Sequence, residues 1–188
     1  MPQGQGNFYP EDLPVDWQLD YYCNAFQVVM VPESQWLEWT QDDLEMCLDA
    51  AQDDFGFYLR VDHDVTAQKV TKIAAVKKAL GTLLKGVVVF SEGSVPSQKV
   101  ALLPVSFVSK TLHMPGWQAL MGDYKLSGHP VGYCDVLSGD GRNQAGLVRA
   151  FMQQLPENNL GVAFFIDGDS INMEQVSNLK VVAEFLGY

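Results

Sequence analysis

The first 59 residues of this chain contain no lysine and no arginine, against 12 aspartates and glutamates; Arg60 is the first basic residue. The remainder carries 11 acidic and 12 basic residues, so the net charge of −11 is concentrated in the N-terminal third. A chain so short of positive charge repels phosphate backbones, which argues against nucleic acid as a partner. Cysteine is scarce as well. Cys23, Cys47 and Cys134 are odd in number and far apart, with no CxxC pair and no histidine at ligand spacing. Neither a disulfide framework nor a zinc site is legible, and reduced, buried thiols in a cytoplasmic protein are expected. No apolar run approaches the ~18 residues of a membrane span. The opening MPQGQGNFYPEDLP lacks the basic and apolar regions of a signal peptide, so no membrane association is expected. A P-loop, a GxGxxG turn, an internal repeat and a low-complexity linker are all missing.

What is present is an alternation. With 188 residues, 47% hydrophobic and 19% charged, the chain reads as one α/β domain over residues 1–188. Asp16 can cap a helix with Leu19, Tyr22, Cys23 and Phe26 on one face, and FQVVMV (26–31) reads as a buried strand. Thr40 opens a helix carrying Leu44, Cys47, Leu48 and Ala51, followed by the strand FGFYLRV (55–61). Residues 66–84 form the clearest helix, with Val70, Ile73, Ala74, Leu80 and Leu84 inward and Lys69, Lys72, Lys77 and Lys78 outside that stripe. Its lysines are expected to face the acidic helix before it; a partner patch is the alternative. GVVVF (86–90) and KVALLPVSFV (99–108) are further strands, the latter bent by Pro104. Residues 109–130 read as loop. VGYCDVL (131–137), a helix over 143–155, LGVAFFI (160–166) and a final helix follow. That last helix is capped by Asn172 with Gln175 at N3 and an Ile171–Val176 staple, and Gly187 ends it. Continuously apolar strands separated by amphipathic helices mean parallel pairing with both faces covered.

Phe8, Tyr9, Pro10, Leu13 and Pro14, followed by Leu19, Tyr21, Tyr22 and Phe26, resemble the start of the YecE-like family, a TIM-barrel family of unsettled activity. FGFYLRV sits where that family has a Phe-rich strand, and LVRAFMQQL, GVAFFID and NMEQVSNLKVVAEFLG are similar to its last strand and helices. The family's glycine- and tryptophan-containing first strand is essentially absent before Gly6, and the Asn-rich end of its last strand is Ile166-Asp167-Gly168-Asp169 here. The resemblance implies architecture and carries over no catalytic residue. A full barrel takes about 250 residues. Six legible strands therefore predict a shortened or incomplete barrel of at least five parallel strands, with an open doubly wound sheet as the alternative.

In such folds ligands bind beyond the carboxyl ends of the strands. Those ends offer Glu33; Asp62, His63 and Asp64; Glu92; Asp140 and Arg142; and Asp167 and Asp169. Together they are the candidate ligand site, with no cofactor specified. Carboxylates converging on one rim suit a hard cation, His63 between two aspartates suits a general base, and Gly139 to Arg142 suits an anion. The same residue types also make βα turns and helix caps. Three functions are consistent with this pattern: a small polar ligand bound at the rim, an interaction module using the acidic third, or a metal-dependent hydrolase using Asp62, Asp167 and Asp169. The N-terminal aromatics and Trp36 and Trp39 are expected to be packing residues, with an exposed sheet edge or a homodimer contact as the alternatives for some of them.

Overall fold

A computed structural model of the chain describes residues 8–157, 161–168 and 172–187. In chain order there are a 3-10 turn at Val15–Trp17 and α1, Gln18–Ala25; β1, Val28–Val31; α2, a single turn at Glu33–Trp36; α3, Gln41–Ala50; β2, Gly56–Asp62; and α4, Ala67–Leu80. Then come β3, Leu84–Phe90; β4, Lys99–Val100; β5, Leu103–Ser109; β6, Trp117–Met121; β7, Tyr124–Gly128; β8, Gly132–Cys134; α5, Gly141–Met152; β9, Phe164–Ile166; and α6, Met173–Phe185.

Local chemistry accounts for most helix starts. Thr40 and Asp43 form a capping box that opens α3. Thr66 Oγ1 accepts from the Lys69 amide at the head of α4, and Gly81, at φ 57°, ends that helix where a side chain would be strained. Asn172 caps α6 through the Glu174 amide; Ile171, its expected staple partner, lies outside the described residues. Asp16 makes no cap. The chain enters α1 through the 3-10 turn, and Trp17 takes the N-cap position.

The main sheet runs β1-β2-β3-β5-β7-β6. β1, β2, β3 and β5 are mutually parallel, with Val28 to Val31 beside Gly56 to Leu59 as expected. Four strands are parallel there, not five. After β5 the chain returns through the β6–β7 hairpin, antiparallel to it, where the sequence reading placed loop. Segment 99–108 is also two strands: Ala101 and Leu102 both take positive φ and form a two-residue hairpin turn between β4 and β5. β8 and β9 pair parallel to each other in a separate two-stranded sheet. The fold is thus α/β with a mostly parallel central sheet, and that sheet does not close on itself.

Strand alternation sends side chains to two cores. Phe57, Leu59, Val61, Val87, Val89, Val105 and Phe107 pack on one face with Cys23, Leu44, Cys47, Ile73, Val76 and Leu80 of α1, α3 and α4. Tyr58, Val88, Val108 and Leu126 face the other way, against Tyr133, Phe165 and Phe151 of β8, β9 and α5. Val76 fills the inward stripe of α4 and Ala74 is exposed, contrary to the expected pattern, while Leu84 belongs to β3. The β6 edge is blunted by one side chain. Gln154 offers its amide group to both the N–H and the C=O of Leu120, as a neighbouring strand would.

α3 and α4 pack together, yet among the described residues no α3 carboxylate forms an ion pair with an α4 lysine. The lysines reach carbonyls instead: Lys72 Nζ donates to Trp39 O at 2.6 Å and Lys77 Nζ to Ala101 O at 3.1 Å. Lys72 acts on α3 only at longer range. It adds to the lowering of the Asp43 pKa, which comes first from the hydrogen bonds with Thr40.

Candidate functional site

The ends of β1, β2, β3, β8 and β9 meet at one rim. Its construction begins with the backbone of β2. Trp36, fully buried, donates Nε1–H to Arg60 O at 2.6 Å. Two residues on, Glu33 Oε2 accepts from the Asp62 N–H at 2.8 Å while Lys69 Nζ donates to the Asp62 carbonyl at 2.7 Å. Glu33 and Lys69 also pair with each other at 2.8 Å, both largely buried. An ion pair thus grips both backbone groups of Asp62 from the helical side of the sheet. The side chains of Arg60 and Asp62, two residues apart, consequently share the opposite face with Tyr58.

On that face Arg60 Nε donates to Asp62 Oδ1 at 2.8 Å, and Nη1 donates to Asp167 Oδ2 beyond β9. The guanidinium lies over the Phe90 ring, 4.4 Å from its centroid. Burial opposes the charge on Arg60, but Asp62 and Asp167 outweigh it and hold the pKa above its ordinary value. Tyr133 stacks edge-on against Phe90 at 4.9 Å and against Tyr124 at 5.0 Å, and its hydroxyl donates to Asp167 O at 3.3 Å. Tyr124 donates to Asp135 Oδ2 at 2.8 Å, with Lys110 Nζ 5.1 Å from its ring centroid. Burial, then the nearby Asp167, pushes the Tyr133 hydroxyl well above its ordinary pKa. Burial, then the bond to Asp135, pushes Tyr124 up to about 12. Both phenols therefore remain protonated donors at neutral pH. Gly168 permits the assembly: a Cβ there would run into the Asp135 carbonyl, so only glycine lets the β9 end approach β8.

Of the residues picked out in the sequence, Glu33, Asp62 and Asp167 are brought together here. The cation that neutralises the aspartates is Arg60, which no motif of the sequence marked. Asp64 turns away and accepts from Ser94 Oγ at 2.5 Å. His63 is exposed, at φ 62°, its amide bound to Phe90 O at 2.7 Å. Glu92 knots the β3 and β5 ends. It accepts from Thr111 Oγ1 at 2.7 Å, Lys110 N at 2.5 Å, Ser109 Oγ at 2.9 Å and Thr111 N at 3.1 Å, and these bonds, led by the Thr111 hydroxyl and the Lys110 amide, hold its pKa at about 2. Asp140 caps α5 through the amides of Arg142 and Asn143, and Arg142 is exposed in that first turn. Asp169 lies outside the described residues. Arg60, Lys69, Phe90, Tyr124, Tyr133 and Asp135 were missed. A lone arginine inside the apolar run FGFYLRV is the signal that would have found the centre, because a charge rarely enters such a strand unpaired.

Chemically the rim is rich in acceptors. Among the described residues, Asp62 and Asp167 each use one oxygen on Arg60 and leave the other without a donor. No group of three or more His, Cys, Asp or Glu residues among those described could hold a metal ion. The guanidinium fills the place between the two aspartates that a cation would need. A cleft of about 790 Å³ between α1 and the start of α6 lies elsewhere, and among the described residues of its lining Glu174 is the one carboxylate. The rim is the candidate site because charges and strand ends converge there. Comparison with models of known families, with curated proteins and with solved structures finds no match for this chain.

Proposed function

We propose that this protein binds a small polar molecule at the strand-end rim, through the carboxylates of Asp62 and Asp167 and the hydroxyl face of Tyr133 and Tyr124. The observation that carries the reading is the convergence of Arg60, Asp62 and Asp167, from separate sheets, on an aromatic floor. Fixed carboxylate oxygens and tyrosine hydroxyls suit a ligand bearing hydroxyl or amino groups. Binding alone is proposed, and no catalytic step is assigned. We also propose the YecE-like resemblance as one of architecture, an opened βα-barrel; the packing of β8 and β9 across from Tyr58 and Val88 favours it. A ligand of the native state raises its stability. The test is therefore a thermal-shift panel of polyols, sugars, amino acids and amines on the wild-type chain and on Asp167→Asn. A saturable rise lost in Asp167→Asn is expected, and no rise with any compound defeats the reading.

A second reading is an interaction module using the acidic third. The exposed carboxylates of α3 favour it, since no cation of the described chain pairs with them. Salt-dependent capture of a basic partner by the wild type, lost on neutralising Asp42, Glu45 and Asp49, is its signature.

A further inference from the structure

On the helical side of the sheet, apart from the Arg60 rim, a cleft of about 360 Å³ lies between the head of α4, the loop after β3 and the β4–β5 hairpin. Its walls are mixed. Val70, Val95 and Val100 supply apolar surface, while His63, Ser97 and Lys99 supply polar groups. Asp64, the one carboxylate in the lining, already accepts from the Ser94 hydroxyl. Lys99 is exposed and has no ion-pair partner among the described residues.

Backbone strain gathers at the same place. The three non-glycine residues with positive φ among those described are His63 at 62°, Ala101 at 49° and Leu102 at 65°. Two of them line this cleft, one on each wall, and the third is adjacent in the chain. At Ala101 and Leu102 the hairpin turn itself requires positive φ, which leaves His63 as the one outside that turn. A conformation of this kind persists where the surrounding structure holds it, and it is often found at ligand clamps. Lys77 Nζ braces the hairpin wall through Ala101 O at 3.1 Å, and the Phe90 carbonyl braces the other through the His63 amide at 2.7 Å.

We infer that the cleft is a second binding site, for a short aliphatic carboxylate whose chain lies along the valines and whose acid group meets Lys99 and His63. The volume is at the small end of the range for ligand pockets, which fits a short chain and excludes a long one. The mixed lining asks for an amphipathic molecule, and Lys99, the one lysine or arginine in it and without an ion-pair partner among the described residues, asks for a negative head group, since Asp64 is already engaged by Ser94.

The test titrates the full chain with hexanoate, and separately with hexanol and hexylamine, followed by amide chemical shifts and melting temperature. Hexanoate should saturate and move the amides of His63, Val95 and Val100, while hexylamine should not bind. Lys99→Gln should weaken hexanoate about tenfold, the loss of one charged contact. Val95→Trp, at an exposed loop position, should block the cleft and abolish binding without unfolding the chain. Asp167→Asn should leave hexanoate binding unchanged, separating this site from the rim. Absence of saturation, an equal response to hexylamine, or an unchanged affinity in Lys99→Gln would overturn the inference.

Discussion

Replacing Arg60 with methionine keeps the apolar stem and removes the charge between Asp62 and Asp167. The Arg60 side chain is 28% exposed, and those of its partners are 38% and 41% exposed. Breaking a fully buried pair costs ~3–5 kcal/mol, and an exposed pair is worth ~0–1 kcal/mol. At this intermediate exposure each carboxylate contact is discounted to about 1 kcal/mol. The stacking on Phe90 adds ~0.5–1 kcal/mol. The expected loss is therefore about 2–3 kcal/mol, increased slightly by the repulsion of two carboxylates left facing each other. Arg60→Lys should fall in between, because an ammonium keeps the charge but cannot fork to both acids while lying flat on the ring. Urea unfolding at low and at high salt measures this directly. The deficit of the methionine variant should shrink in high salt, since half-exposed charges are screened. A loss below about 0.5 kcal/mol, or a lysine variant indistinguishable from the wild type, would refute the view that this cluster holds the rim together.

The folded-state pKa of Glu92 lies below its ordinary value of 4.5, at about 2. Its contribution is thus fully present above pH 4.5 and lost as pH falls through about 2; Glu92→Gln should flatten the acid limb of stability between those limits, read by urea unfolding across pH. Leu102 is 82% exposed and sits at φ 65°. Leu102→Gly should relieve ~1–2 kcal/mol of strain, less ~0.5–1 kcal/mol of added unfolded-state entropy. A net gain near 0.5–1 kcal/mol is expected in chemical denaturation, and a loss would show that the turn is not strained.

Residues with a single local role were readable from the sequence. Thr40 and Asn172 announce helix starts because a cap needs only its neighbours, and the run GVVVF is a buried strand in any α/β context. The β6–β7 hairpin was missed for a physical reason. WQALM alternates in burial, but Leu120 stands exposed where a polar residue would mark the alternation, although Gly122-Asp123 between it and YKLSG is the two-residue turn such a hairpin requires. The site divided in the same way. Asp140 satisfies the amides two and three residues on, the ordinary work of a helix cap, whereas Glu92 reaches residues 109–111 at the end of another strand. Asp62 and Asp167 meet only because two sheets pack face to face, which no spacing in the chain encodes. The lysines of α4 misled because charge pattern alone cannot tell a carboxylate from a carbonyl as the acceptor.

Ligand binding at the rim around Arg60 is a proposal that one experiment can decide. Its most direct test is an NMR titration of the wild-type chain with the compound that gives the largest saturable thermal shift. The Arg60 Nε–H resonance and the amides of Asp62, Tyr133 and Asp167 should move together with one binding constant. Shifts confined to the α1–α6 cleft or to the acidic face of α3, with the Arg60 resonance unmoved at saturation, would contradict it.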